Sequence, residues 1–242
     1  MSERRASFSL SLAPALIIPA LNEEDVIGST LDSVPGDLFH AVLVADNGST
    51  DRTGDIARGW GAIVVREPER GYGAACLKAI AALPGEIDTV VFLQADGSED
   101  PGEARRLLEP IAEGRAELVI GSRVLGAAEP GALEPHQRFG NWLATSLIRL
   151  FHGHHYTDLG PFRAIRRESL DRLGMRDRNY GWTVEMQIRA LQRGLRVLEV
   201  PVSYRNRRAG EGKVSATLRG SLMAGFKILW TVIRLTFANV IP

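Results

Sequence analysis

The chain has 242 residues, 45% hydrophobic and 24% charged, and its 29 basic and 29 acidic side chains balance to a formal net charge of +0. That is room for one α/β domain with a sizeable core, and the even balance excludes a general nucleic-acid-binding surface, so any positive site is local. The single cysteine, Cys76, excludes an internal disulfide framework and fits a reducing compartment.

Residues 1–14 read as an N-terminal extension; Arg and Ser are mixed there without a long apolar core, so no signal peptide is expected. Apolar runs then alternate with helical patterns, as in βαβ units. Residues 15–18 form a first strand, and Glu23-Glu24 opens a helix. Residues 41–45 form a second strand that ends at Asp46-Asn47-Gly48-Ser49-Thr50-Asp51, with a helix to about Gly59 and a short strand over 62–65. Gly71-Tyr72-Gly73 leads into a helix over 74–83, whose interior makes Cys76 a buried thiol. The run Thr89-Val90-Val91-Phe92-Leu93 is a strand ending at Gln94, followed by a helix over 103–113 and a strand over 118–120. The loop over 126–135, with its prolines and glycines, is the segment expected to be mobile. No stretch reaches the apolar length of a membrane span.

The polar residues follow the strands. In open α/β sheets, ligands bind in the crevice at the carboxyl ends of the strands. Here those ends carry Pro19-Ala20-Leu21-Asn22-Glu23, Asp46-Asn47-Gly48-Ser49 and Gln94-Ala95-Asp96-Gly97-Ser98. Asp46 can accept from a ribose hydroxyl or a base N–H, and Gly48 lets the backbone come close. Taken singly, Asn22 and Asp46 are equally well read as helix caps, and Asp96 as a turn cap with Ser98. Three polar strand ends in series favour one shared ligand site. Gly71-Tyr72-Gly73 lacks the spacing of a dinucleotide fingerprint.

Over residues 15–220 the chain resembles the family 2 inverting glycosyltransferases, in particular the branch of dolichol-phosphate mannosyltransferases and bacterial polyprenyl-phosphate glycosyltransferases. The resemblance rests on Ile18-Pro19-Ala20-Leu21-Asn22-Glu23, Asp46-Asn47-Gly48-Ser49-Thr50-Asp51, Gln94-Ala95-Asp96-Gly97, Gly121-Ser122-Arg123, Gly160-Pro161-Phe162-Arg163-Ala164, Gly181-Trp182-Thr183-Val184-Glu185 and Glu199-Val200-Pro201-Val202. It implies a GT-A fold over 15–214, an α/β nucleotide-sugar-binding sandwich with a mostly parallel sheet, followed by C-terminal amphipathic helices over 215–242. It also implies transfer, with inversion, from a nucleoside diphosphate sugar of the GDP-mannose or UDP-glucose type to a dolichyl or undecaprenyl phosphate. Pro19, Ala20, Asn22, Glu23, Asp46, Gly48, Ala95 and Asp96 then belong to the donor. Mg²⁺ or Mn²⁺ is the implied cofactor, held by Asp96 and Gln94. Gln94 is a departure: the family pattern there is Asp-x-Asp, and an amide oxygen ligates without adding charge.

In the second half, Arg123 ends a strand, and Arg138 and Asn141 share a helix face. Arg207 and Lys213 lie in a basic run. Arginine forks suit phosphate oxygens; the other reading of the 205–213 run is a solvated basic face. The resemblance assigns Arg123, Arg138, Asn141, Trp182, Arg207 and Lys213 to the acceptor, and makes Asp96, Arg123, Glu185 and Arg207 the catalytic candidates. Glu185 is equally readable as a partner of the helix dipole. His152, His154 and His155 near Asp158 lack a recognised metal-ligand spacing, so a loop lining the acceptor site is the better reading. In the tail, Leu218, Leu222, Phe226, Leu229, Ile233 and Phe237 recur at helical spacing beside Arg219, Lys227, Trp230 and Arg234. That pattern suits an interfacial helix, and equally a core or oligomer contact. The expected setting is cytoplasmic, peripheral on the inner face of the membrane, with a homo-oligomer allowed. Two other readings stay open: a transferase of the same fold using a soluble alcohol, and a non-catalytic nucleotide-sugar-binding protein.

Overall fold

A computed structural model describes residues 12–207 and the helix 218–237, with side chains from 225 onward in that helix. In chain order it runs β1 (Pro14–Ala20), α1 (Glu24–Asp32), β2 (Ala41–Asp46), α2 (Thr53–Trp60), β3 (Ile63–Arg66), α3 (Tyr72–Ala81) and β4 (Thr89–Phe92). A 3₁₀ turn at Pro101–Glu103 precedes α4 (Ala104–Ala112). Then come β5 (Leu118–Ser122), α5 (Pro135–His152), β6 (Arg163–Arg166), α6 (Arg167–Leu173), α7 (Trp182–Gln192), β7 (Val197–Pro201) and α8 (Leu218–Phe237).

The strands form one sheet in the order β3-β2-β1-β4-β6-β5-β7. All neighbours are parallel except β6, which runs against both β4 and β5. Ala15, Leu16, Ile17 and Ile18 are all fully buried, because helices cover both faces of the sheet; this is why the central strands read as continuous apolar runs rather than alternating ones. Ile17, Leu43, Phe92 and Ile120 face a layer built from α3, α5, α6, α7 and α8. Leu16, Ile18, Val44 and Val91 face α1, α2 and α4.

The local rules explain the helix ends. At the start of α5, the Glu134 and Gln137 side chains cap one another's backbone amides and Pro135 fills the first turn; Gly153 stops the helix in the left-handed region at φ 69°. The loop expected to be mobile is pinned instead. Ala128 bridges to Tyr204, Glu129 N donates to the Tyr204 carbonyl at 2.8 Å, and a Cβ on Gly126 would collide with the Val202 backbone. Gly126 therefore serves close packing, while Gly131 takes the left-handed region at φ 85° that favours glycine.

Candidate functional site

The parallel register sets Ala20 beside Asp46, so the turns after β1 and β2 open at one edge of the sheet. Side chains lace these turns together. Thr50 N donates to Asn22 Oδ1 at 2.8 Å, Asn22 N to Ser49 Oγ at 3.0 Å, and Glu23 N to Thr53 Oγ1 at 2.8 Å. Asn22 takes φ 48° and Gly48 φ 78°, which keeps the turns compact. Asp46 is buried and Ser49 N donates to its Oδ1 at 2.8 Å, so it caps the turn at the mouth of the crevice rather than a helix, α2 beginning only at Thr53 behind Arg52. Asn47, which the sequence reading passed over, adds the third wall. Its Nδ2 donates to the carbonyls of Glu67 and Glu69, and Gly71 N donates to its Oδ1 at 2.8 Å.

The 94–99 turn follows β4 at the same edge. Asp96 is only 5% exposed. Ser98 donates to its Oδ1 from N (3.1 Å) and Oγ (2.6 Å), while Arg207 Nε meets Oδ2 at 3.0 Å. Arg207 is carried there by segment 203–207, which lies along the turn: Arg205 N donates to the Ser98 carbonyl, and Arg205 Nη2 pairs with Asp100 at 2.7 Å. Gln94 Oε1 sits 3.3 Å from Ser98 Oγ, so amide and carboxylate oxygens converge on one hydroxyl. Beneath them, Glu99 accepts from Gln94 N, its other oxygen has no hydrogen-bond partner among the described residues, and burial pushes its carboxyl up to about 8. No group of three or more His, Cys, Asp or Glu side chains that could hold a metal exists among the described residues. The donors present, one carboxylate and one amide on a single turn, fit a hard cation that takes its remaining ligands from a diphosphate and water.

On the far side of β4, Arg123 extends from β5 and is clamped by Asp158. Nε and Nη2 each donate to that carboxylate at 2.8 Å, Arg123 N adds a third bond at 2.9 Å, and the guanidinium lies 5.0 Å over the Tyr204 ring. Burial opposes the charge on Arg123, but the bonds from Asp158 outweigh it, and the pKa stands above the ordinary arginine value. Glu199 of β7 supports the clamp by accepting from Thr157 N, Thr157 Oγ1 and Asp158 N. Arg163 is fully buried, pairs with no carboxylate among the described residues and donates to the carbonyls of Leu159, Gly160 and Thr183, fixing the turn into β6.

These groups border an open cleft of about 780 Å³ between β5 and α5. Arg138, Asn141 and His155 line it, with Phe139 and Trp142 (ring centroids 5.8 Å apart) also on its wall. Asn141 holds the cleft floor, donating to the Thr157 carbonyl and accepting from Leu159 N.

Two expected site residues are placed elsewhere. Trp182 is 1% exposed and packs edge-on against Phe92 at 6.2 Å. It is a core ring, worth about 1.5–3 kcal/mol of burial, and has no surface to offer an acceptor. Glu185 is fully buried with both oxygens occupied: Arg176 N and Asp177 N donate to Oε2, and Arg189 Nε to Oε1. It braces the 174–181 turn from a fully buried position and is absent from the lining of the cleft described above. Arg123 faces the cleft with its charge already matched by Asp158. His152 pairs with Thr236 Oγ1, so the histidines form no cluster. Lys213 lies outside the described residues, as do the Leu218 and Leu222 side chains. Asn47 lay within a strand-end segment but gave no sign of its particular role, and Arg163, Glu199 and Tyr204 carried no strand-end signal, because their roles depend on partners distant in sequence.

A mostly parallel α/β sheet with one reversed strand, opening at its strand ends onto a carboxylate turn and a cleft beside it, is a GT-A glycosyltransferase fold. The pattern described as "Glycosyl transferase family 2" matches residues 15–174, and the chain belongs to that family. It is similar to an uncharacterized glycosyltransferase of Mycobacterium tuberculosis, 38% identical over 214 residues, which cover 88% of this chain and 94% of that one. It is also similar to the undecaprenyl-phosphate mannosyltransferase of Micrococcus luteus, 32% identical over 219 residues, 84% of this chain and 88% of that one. Among solved structures, glucosyl-3-phosphoglycerate synthase from M. tuberculosis in complex with Mn²⁺, UDP-glucose and phosphoglyceric acid superposes with a TM-score of 0.75. The identity is 25%, over 93% of this chain and 80% of that one.

Proposed function

We propose that this glycosyltransferase moves a sugar, with inversion, from a nucleoside diphosphate sugar of the GDP-mannose or UDP-glucose type to a polyprenyl phosphate. The observation that carries the reading is the character of α5 and α8 beside the cleft. Phe139 and Trp142 are exposed on the cleft wall, and Leu150 continues their face of α5, with Phe151 on the side turned to α8. Phe151 touches Phe237 of α8 at 5.6 Å, and Phe226, Trp230 and Ile233 of α8 are exposed as well. Neither helix contains an acidic residue, while Arg138, Arg149, Lys227 and Arg234 are spaced along them. Apolar faces with basic flanks suit an anionic membrane surface. No described helix is long and apolar enough to cross a membrane, so the protein would rest on the inner face.

The chemistry suits these residues. A phosphomonoester is anionic near neutral pH, its second pKa being about 6. Its oxygen bonds to the anomeric carbon from the face opposite the diphosphate as the carbon–diphosphate oxygen bond breaks, and the nucleoside diphosphate leaves. No protein base is needed, which agrees with Glu185 and Asp158 both being committed to internal partners. The turns at 19–23 and 46–48, with Ala95 and Asp96, form the donor wall. Asp96 and Gln94 would hold Mg²⁺ or Mn²⁺, which neutralises diphosphate charge when bound. Arg207, now on Asp96, stands close enough to exchange that carboxylate for phosphate oxygens. Arg138 and Asn141 belong to the acceptor cleft.

A second reading, a soluble phosphorylated acceptor, is favoured by the likeness to the synthase crystallised with phosphoglyceric acid. Steady-state transfer from GDP-mannose and UDP-glucose to undecaprenyl phosphate, undecaprenol and 3-phosphoglycerate separates the two. Transfer to the lipid phosphate alone is expected; transfer to undecaprenol or phosphoglycerate but not to the lipid phosphate would overturn the assignment.

A further inference from the structure

We propose that Lys227 is a positioning residue through which α8 sets the affinity of the donor pocket. It stands outside the strand ends and the cleft, yet a chain of direct contacts joins it to both walls of the 46–48 turn. Lys227 Nζ lies 3.1 Å from Asp177 Oδ2. The Asp177 side chain is 1% exposed, and among the described residues no hydrogen-bond donor meets that oxygen apart from this ion pair. Asp177 Oδ1 is held from the other side by Asn179 N and Gly181 N, and Asp177 N by Glu185. The pair therefore fixes the 176–181 turn to α8. Thr231, one helical turn on from Lys227, is buried and faces Gly181 so closely that a Cβ there would overlap its Oγ1.

The other side of that turn is a wall of the donor pocket. The Asp177 and Arg178 carbonyls press on Gly73 and Gly71, where any Cβ would collide with them, and Ala74 N donates to the Arg178 carbonyl at 2.9 Å. Gly71 has φ 151° and donates its N–H to Asn47 Oδ1. Arg178 also pairs with Glu69, whose carbonyl accepts from Asn47 Nδ2. Asn47 directly follows Asp46. A shift of α8 is thus passed to the 46–48 turn through an ion pair, close backbone contacts and hydrogen bonds to the Asn47 side chain, and a packed interface of this kind moves as a unit rather than by gradual deformation.

The inference rests on the donor pocket proposed above, and the experiment separates the two. Binding of UDP and GDP, each with Mn²⁺, is measured by calorimetry for wild type, Lys227→Met, Lys227→Arg, and Lys227→Met combined with Asp177→Asn, alongside thermal melts. The double variant removes the buried charge while an asparagine oxygen still accepts from the turn amides, so it keeps the fold testable if the single variant does not fold. The nucleotide that binds wild type should bind Lys227→Met and the double variant about tenfold more weakly, and Lys227→Arg within about twofold of wild type, because arginine restores the pair. Restored affinity in the double variant would show that Lys227 merely neutralises Asp177, and would overturn the proposal. So would lowered melting temperatures with unchanged nucleotide affinity. Failure of wild type to bind either nucleotide would instead overturn the donor pocket, and the proposal with it.

Discussion

Replacing Arg123 by alanine tests whether the clamp at the cleft is structural before it is catalytic. The Asp158 side chain is 1% exposed and that of Arg123 16%, so the pair is far less screened than a surface ion pair. Alanine removes both side-chain bonds at 2.8 Å and leaves the carboxylate with the bond from the backbone amide of residue 123. Breaking one partner of a buried, hydrogen-bonded pair costs about 3–5 kcal/mol. The lost stacking on Tyr204 adds about 0.5–1 kcal/mol at a partly exposed site, and the surviving backbone bond returns a similar amount. At about 2–4 °C per kcal/mol for a chain of this size, the melting temperature falls by about 6–20 °C. Circular dichroism melts of wild type, Arg123→Ala, Asp158→Asn and the double variant measure this. The double variant should melt above Arg123→Ala, because no buried charge is then left alone. A melting temperature for Arg123→Ala within about 3 °C of wild type, with only a raised acceptor KM, would refute the reasoning.

Asp96→Ala should abolish transfer and weaken Mn²⁺-dependent nucleotide binding, while Gln94→Ala costs less, since a neutral ligand adds less to a cation site than a carboxylate; full activity in Asp96→Ala would remove its assigned role. Asp46→Ala loses one turn-capping bond, about 1 kcal/mol of stability by analogy with a helix cap, but should weaken calorimetric nucleotide binding much more. Unchanged binding by the folded variant would leave Asp46 as a cap alone. Burial pushes the Cys76 thiol well above its ordinary pKa, so at pH 8 the native protein holds almost no thiolate and should resist a disulfide-exchange reagent, whereas in guanidinium the freed thiol, with a pKa near about 8.5, reacts at once. Rapid labelling of the native protein would contradict that burial.

The strand-end turns were legible in sequence because they are local: an apolar run followed by Asp, Asn, Gly and Ser reports both the strand and its mouth. Asp96 and Asp46 were found that way. The clamp of Arg123 by Asp158, the seating of Arg207 on Asp96, and the pairing of Lys227 with Asp177 were not, because long-range ion pairs leave no periodicity. Trp182 shows the converse failure. An aromatic residue at a helix start reads alike whether it lines a cleft or fills the core, and only packing against Phe92 decides. β6 escaped notice because Arg-Ala-Ile-Arg hides its fully buried arginine behind a surface-like composition. In the loop at 126–135 glycine signals both things at once: crowding at Gly126 against Val202, and a left-handed turn at Gly131.

The reversed direction of β6 has its own consequence. Because β5 and β6 are antiparallel neighbours, the chain leaves the sheet after Ser122 and returns at Arg163 on an adjacent strand, so residues 123–162 form one excursion with ends about 8 Å apart. That excursion carries Arg123, all of α5 and Asp158, which is most of the cleft lining, and none of the turns after β1, β2 and β4. The lining of the cleft is thereby confined to one segment: exchanging it for one of different length or greasiness would reshape the cleft while the strand order and the turns after β1, β2 and β4 keep their places.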